Sequence, residues 1–142
     1  MEDRIKELYS KDNNQAYKTL LELEIQTTTS NELYIFFDEF LRMLTNERSF
    51  VRKRGFRMIC SLSKWDVDNK IDSNIEQILL ELDDSNGIAI RQSLAALPMI
   101  LLYKTKLTEI IEKKLRQMDL SKYKESMQEL IKKDIEAILK NI

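Results

Sequence analysis

Apolar residues return along this chain at steps of three and four. Leu20, Leu21 and Leu23 follow Ala16 and Tyr17 at helical intervals. Leu33, Phe36, Phe37, Phe40, Leu41 and Leu44 repeat the step, as do Val51, Gly55, Met58, Ile59 and Leu62. Ile75, Ile78, Leu79 and Leu82 form another stripe, and Leu94, Leu97, Leu101 and Leu102 most of another. Two more runs lie at 107–118 and 127–142. This spacing places one apolar stripe on each of a series of helices, and no stretch alternates long enough to predict a strand. The pattern predicts seven helices of roughly 10–18 residues, or eight with a short one at the N-terminus.

Short polar residues mark the expected starts. Asp12 precedes a helix from Asn13 and Ser30 one from Asn31. Asp72 or Ser73 is placed to cap the Ile75 helix, and Ser121, with Glu125 nearby, the last one. The links between helices are short and polar, so the chain 1–142 reads as one domain.

The pattern also repeats. A shift of 38 positions lays Phe37, Phe40, Leu41 and Leu44 on Ile75, Ile78, Leu79 and Leu82. It lays Phe50, Phe56, Ile59 and Leu62 on Ile88, Leu94, Leu97 and Ile100, and Trp65 on Tyr103. A weaker third copy, shortened by about two residues, runs from Ile111 to Leu130. Asn13–Ile25 reads as the second helix of a truncated first unit. About three and a half helix pairs with a period in the high thirties predict an all-α fold, a short right-handed α-solenoid.

Composition narrows the chemistry. The 142 residues hold 2 glycines, 1 proline, 1 cysteine and no histidine. Without histidine there is no Ser-His-Asp or Cys-His catalysis and no usual zinc site. Two glycines cannot build a phosphate-cradling loop. We therefore expect no catalytic residues, no metal and no cofactor. No run of about 18 apolar residues predicts a membrane span. The charged N-terminus lacks a secretory h-region and the single cysteine suits a reducing compartment, so a cytoplasmic protein is expected.

Net charge is −1, but it is unevenly spread: residues 48–70 carry seven basic side chains against two acidic ones. On one helix Lys53, Arg57 and Lys64 share a side opposite the Val51–Leu62 stripe. With Arg52 and Arg91 they form a candidate basic ridge for an acidic or amphipathic protein partner. The competing reading is that these side chains brace neighbouring repeats. Cys60 lies among the same cations, which would activate its thiol if it were open, but a small packing residue is expected there. Trp65, Asp66, Asp68 and Asp72 lack the spacing of a calcium loop, so they are expected to pack and to form a turn. Pro98, inside a helical pattern, predicts a kink near Leu94–Leu97.

The segments TNERSFVRKRGFRMI and DDSNGIAIRQSLAAL, each with an apolar-Arg pair (Val51-Arg52 and Ile90-Arg91), resemble HEAT-like repeats. The chain as a whole is similar to short bacterial HEAT-repeat proteins. That resemblance implies a non-enzymatic binding module that uses its second helices, with Arg52 and Arg91 in structural places. A more distant likeness is to the HEAT-like DNA alkylation repair glycosylases, through Ser49-Phe50-Val51-Arg52-Lys53-Arg54 and Trp65-Asp66-Val67-Asp68-Asn69. It offers nucleic-acid binding as the alternative function. Asn69 stands where that family's carboxylate is expected, and the net charge argues against a strong phosphate-dependent binder. The chain is expected as a monomer, or as a homodimer joined through Ile138, Leu139 and Ile142.

Overall fold

The computed structural model describes residues 2–142, and all regular structure among them is helical. Helix α1 (Asp3–Glu7) turns back into α2 (Asn13–Thr27), where Asp12 Oδ1 accepts the Gln15 N–H at 3.1 Å. The next run does not start as an α-helix from Asn31. It winds as a 3-10 turn over Glu32–Phe36, then as α3 (Phe37–Met43), and pairs with α4 (Ser49–Ser61). The tighter winding brings Leu33 into the core and leaves Ile35 outside.

The third pair is more finely cut than its apolar stripe suggests. Helices α5 (Lys70–Ser73) and α6 (Ile75–Leu79) lead into a 3-10 turn at Leu80–Asp83. With three residues per turn, positions i and i+3 eclipse, so Leu82 lies beneath Leu79 and Glu81 is drawn inward beneath Ile78. Neither Asp72 nor Ser73 caps α6, whose N-cap is Asn74. Helix α7 (Gly87–Ala96) opens on Asn86, whose Oδ1 accepts the Ala89 N–H at 3.0 Å. At the expected kink α7 ends at Ala96 and Pro98 opens α8 (Pro98–Tyr103); Leu97 between them keeps helical dihedrals and bonds the Ser93 carbonyl, so the backbone stays helical across the junction where Pro98 lacks its N–H. The last pair is α9 (Thr108–Gln117) and α10 (Glu125–Lys140). Ser121 does not cap α10; it bonds Asp119 instead, at 2.6 Å through its hydroxyl.

Within each pair the two arms pack on each other. In addition α2 packs on α4, α4 on α7, and α7 on α10. The sequence repeat has a counterpart at the turns. Asn46 and Asp84, 38 residues apart, each accept the N–H two residues on at 2.9 Å. Asp119 does the same to Ser121 at 3.0 Å. The core runs unbroken from Ile5 and Leu8 through Phe37, Phe40 and Phe56 to Ile131 and Ile135. Trp65 packs on it and donates Nε1–H to the Thr27 carbonyl at 2.7 Å, whereas Tyr103, its counterpart one repeat later, stands exposed. Ile138 is buried in the same core, which removes it from the surface expected for a dimer. No helix among the described residues is long and apolar enough to cross a membrane.

Candidate functional site

The basic ridge expected from the sequence is not an open one. Arg52 places Nε and Nη2 on Asp84 Oδ2 at 2.9 and 2.6 Å and Nη1 on the Asn46 and Glu47 carbonyls. Arg57 grips Glu24 with two bonds of 2.9 and 2.8 Å. Arg91 meets Asp134 with two bonds, the shorter 2.7 Å. Each carboxylate lies one helix pair away, so the guanidiniums brace adjacent pairs. Only Lys64 remains exposed, its ammonium bonded to the Thr28 carbonyl at 2.8 Å and 4.8 Å above the Trp65 ring.

Lys53 corrects the expectation most sharply. Placed opposite the apolar stripe by helical phase, it is nevertheless 2% exposed, because α2 packs over that side of α4. Its ammonium lies 5.0 Å from the Tyr17 ring and 5.4 Å from that of Phe50. Burial, with the charges of Arg54 and Arg57 adding to it and Glu24 opposing, pushes its pKa down to about 7. The unfolded chain therefore holds a proton between pH 7 and 10.5 that the folded chain has released. Stability from this group is present above 10.5 and is lost as pH falls toward 7. Lys53→Met is expected to raise the melting temperature at pH 7, by about 3–4 °C for each kcal/mol gained in a chain of this size. It should also flatten the rise in stability between pH 7 and 10; thermal melts across that range provide the check.

The other candidates settle into packing. Cys60 is buried, and burial pushes its thiol pKa well up, the opposite of activation. Asp66 is buried at a turn, accepting Tyr34 Oη–H at 2.6 Å, the Lys70 and Ile71 N–H groups at 2.9 Å and Lys104 Nζ at 2.9 Å. Lys104 also reaches Asp72 at 2.8 Å. Among the described residues no group of three or more His, Cys, Asp or Glu could hold a metal ion. Asn69, in the left-handed region at φ 54°, accepts from Lys104 Nζ at 3.0 Å and so helps to hold that turn. Arg54, in the middle of the glycosylase-like stretch, is buried on the Leu8 and Ser10 carbonyls and Asn13.

What the second helices do present is an apolar cleft. One part, of ≈ 570 Å³, lies among α2, α4, α7 and α8, with Leu21, Ile25, Ser61, Lys64, Met99 and Tyr103 in its walls. A second part, of ≈ 610 Å³, lies between α7–α8 and α10, walled by Leu94, Leu101, Leu102, Ala137 and Ile138 and rimmed by the Arg91–Asp134 pair. Ala95 and Pro98 belong to both. Ile25 is 69% exposed and Leu102 65%. Comparison with family models, curated proteins and solved structures gives no match.

Proposed function

We propose that the chain is a short right-handed α-solenoid of HEAT-like helix pairs acting as a non-enzymatic module that binds an amphipathic helix of a protein partner along its second helices. The observation carrying this reading is the pair of apolar clefts joined at Ala95 and Pro98. A groove between helices suits an apolar helical stripe with anchors at i, i+3, i+4 and i+7. The charge pattern sets the partner's polar character. Arg57 and Arg91 bring their own carboxylates, while Lys64 at the rim faces no carboxylate among the described residues. The docked helix then carries an acidic residue opposite Lys64. Of the acidic or amphipathic partner expected from the sequence, this reading keeps the amphipathic one, docked by apolar contact with one charged contact at Lys64.

The test uses 18-residue helical peptides selected from a displayed library against the full chain. Ile25→Asp with Leu102→Asp changes two exposed side chains, so the melting temperature should hold. Selected peptides are expected to share the apolar spacing and to lose at least tenfold in affinity on the double variant (about 1.4 kcal/mol). Failure to enrich any helical peptide, or binding that ignores both substitutions, overturns the reading. Saturable binding of DNA at low salt would favour the nucleic-acid alternative instead.

A further inference from the structure

A smaller cavity, of ≈ 200 Å³, lies between the end of α3 and the Leu80–Asp83 turn and shares no lining residue with the cleft. Leu44, Thr45, Arg52, Gln77, Leu80 and Glu81 line it. Glu81 is 5% exposed, and its Oε1 has no hydrogen-bond partner among the described residues. Its Oε2 is 3.8 Å from Arg52 Nε, too far for a hydrogen bond. Arg52 is committed to Asp84, which also takes Ser49 Oγ at 2.6 Å and the Asn86 N–H at 2.9 Å. One guanidinium thus serves two carboxylates, holding Asp84 by hydrogen bonds and Glu81 only by charge at 3.8 Å. The other charged or titratable groups near it are already engaged: Asp83 with Lys114 at 2.6 Å, and Lys122 and Tyr123 with the Asp83 and Asp84 carbonyls.

We propose that this cavity is a binding site for a primary alkylammonium group, which pairs with Glu81 and lays its alkyl chain against Leu44 and Leu80. A buried carboxylate is costly when ionised alone and gains most from a cation at its unpartnered oxygen. With the Arg52 guanidinium already beside Oε2, an incoming cation is left with Oε1, which suits a point-charge ammonium better than the two-oxygen fork of a second guanidinium. Leu80, exposed and part of the lining, supplies apolar contact for the methylenes. Burial, then the Asp84 charge, pushes the Glu81 pKa up to about 8, so at pH 7 the empty site holds a proton that the ammonium must expel.

That exchange gives the experiment its signature. The full chain is titrated calorimetrically at pH 7 with n-butylammonium chloride and, separately, with N-acetyl-lysine methylamide. Each titration is run at matched ionic strength in two buffers of different ionisation heat. Saturable binding that releases close to one proton per ligand is expected, and Glu81→Gln should weaken it at least tenfold. Binding of butylammonium alone identifies a site for a free amine; binding of both identifies one that also takes a lysine side chain. Absence of saturable binding by either probe overturns the proposal, as does binding without proton release, or affinity that survives Glu81→Gln. Glutamine has the shape of protonated Glu81, so folding should persist; if it does not, the proton count on the unaltered chain decides.

Discussion

Gly55→Ala is expected to lower the melting temperature by about 5–10 °C, corresponding to an overpacking cost of about 2–3 kcal/mol. A β-carbon at this position would sit 2.6 Å from Met43 Cβ and 2.7 Å from the Phe40 carbonyl oxygen. Both belong to the backbone side of α3, so neither can swing away, and α3 must separate from α4 along its most intimate contact. Intrinsic helix propensity favours alanine by about 1 kcal/mol, and this only partly offsets the clash. Gly87 provides the contrast. There the added atom meets the Met127 side chain, at 2.5 Å from Cγ, and a flexible thioether can move. Gly87→Ala should therefore be close to neutral. Thermal melts of the two variants side by side check the argument, which fails if Gly55→Ala is as stable as the parent.

Asp66→Ala should cost more, about 3–5 kcal/mol, as expected when one member of a buried charge pair is removed. The carboxylate ties Tyr34 from the preceding pair, Lys104 from the end of α8, and the first N–H groups of α5. Its removal leaves the Lys104 ammonium, only 10% exposed, with Asp72 as its one carboxylate. Burial by itself would raise the Asp66 pKa; the bonds from Tyr34, Ile71, Lys104 and Lys70 outweigh it and hold the pKa below the ordinary 3.8. Stability from this group is thus present above pH 3.8 and is lost as pH falls below it. The parent should lose stability on that acid limb, and the variant should show less of the loss. Denaturant unfolding at pH 7 and at pH 3 measures both; a difference at pH 7 under 1 kcal/mol would contradict the role assigned here.

The all-helical character was legible because the evidence for it is local: periodic apolar residues, few breakers, and Asp12 in a cap position. The 38-residue spacing was read from equally local signals, and at the turns of Asn46 and Asp84 it coincides with matching bonds. The 3-10 segments were not, since their apolar spacing differs from an α-helix by less than one residue per turn. The fate of the charged residues was hidden more deeply. Helical phase says which side of α4 carries Lys53 and Arg57, but only tertiary packing says that α2 lies over that side. Glu24 and Asp134 gave no sign of their partners, which stand 33 and 43 residues away. Pro98 was visible as a helix interruption, but not, with Ala95, as a residue shared by both parts of a cleft.

The longest hydrogen bond among the described residues joins positions 46 apart, Arg54 to Leu8. Among the described residues no hydrogen bond joins the first helix pair to the last. A molecule fastened in this way loosens from its extremities, like an unbuttoned coat. An occupant stretched along the cleft from α2 to α10 would act as a splint, joining two ends that the protein itself leaves unjoined.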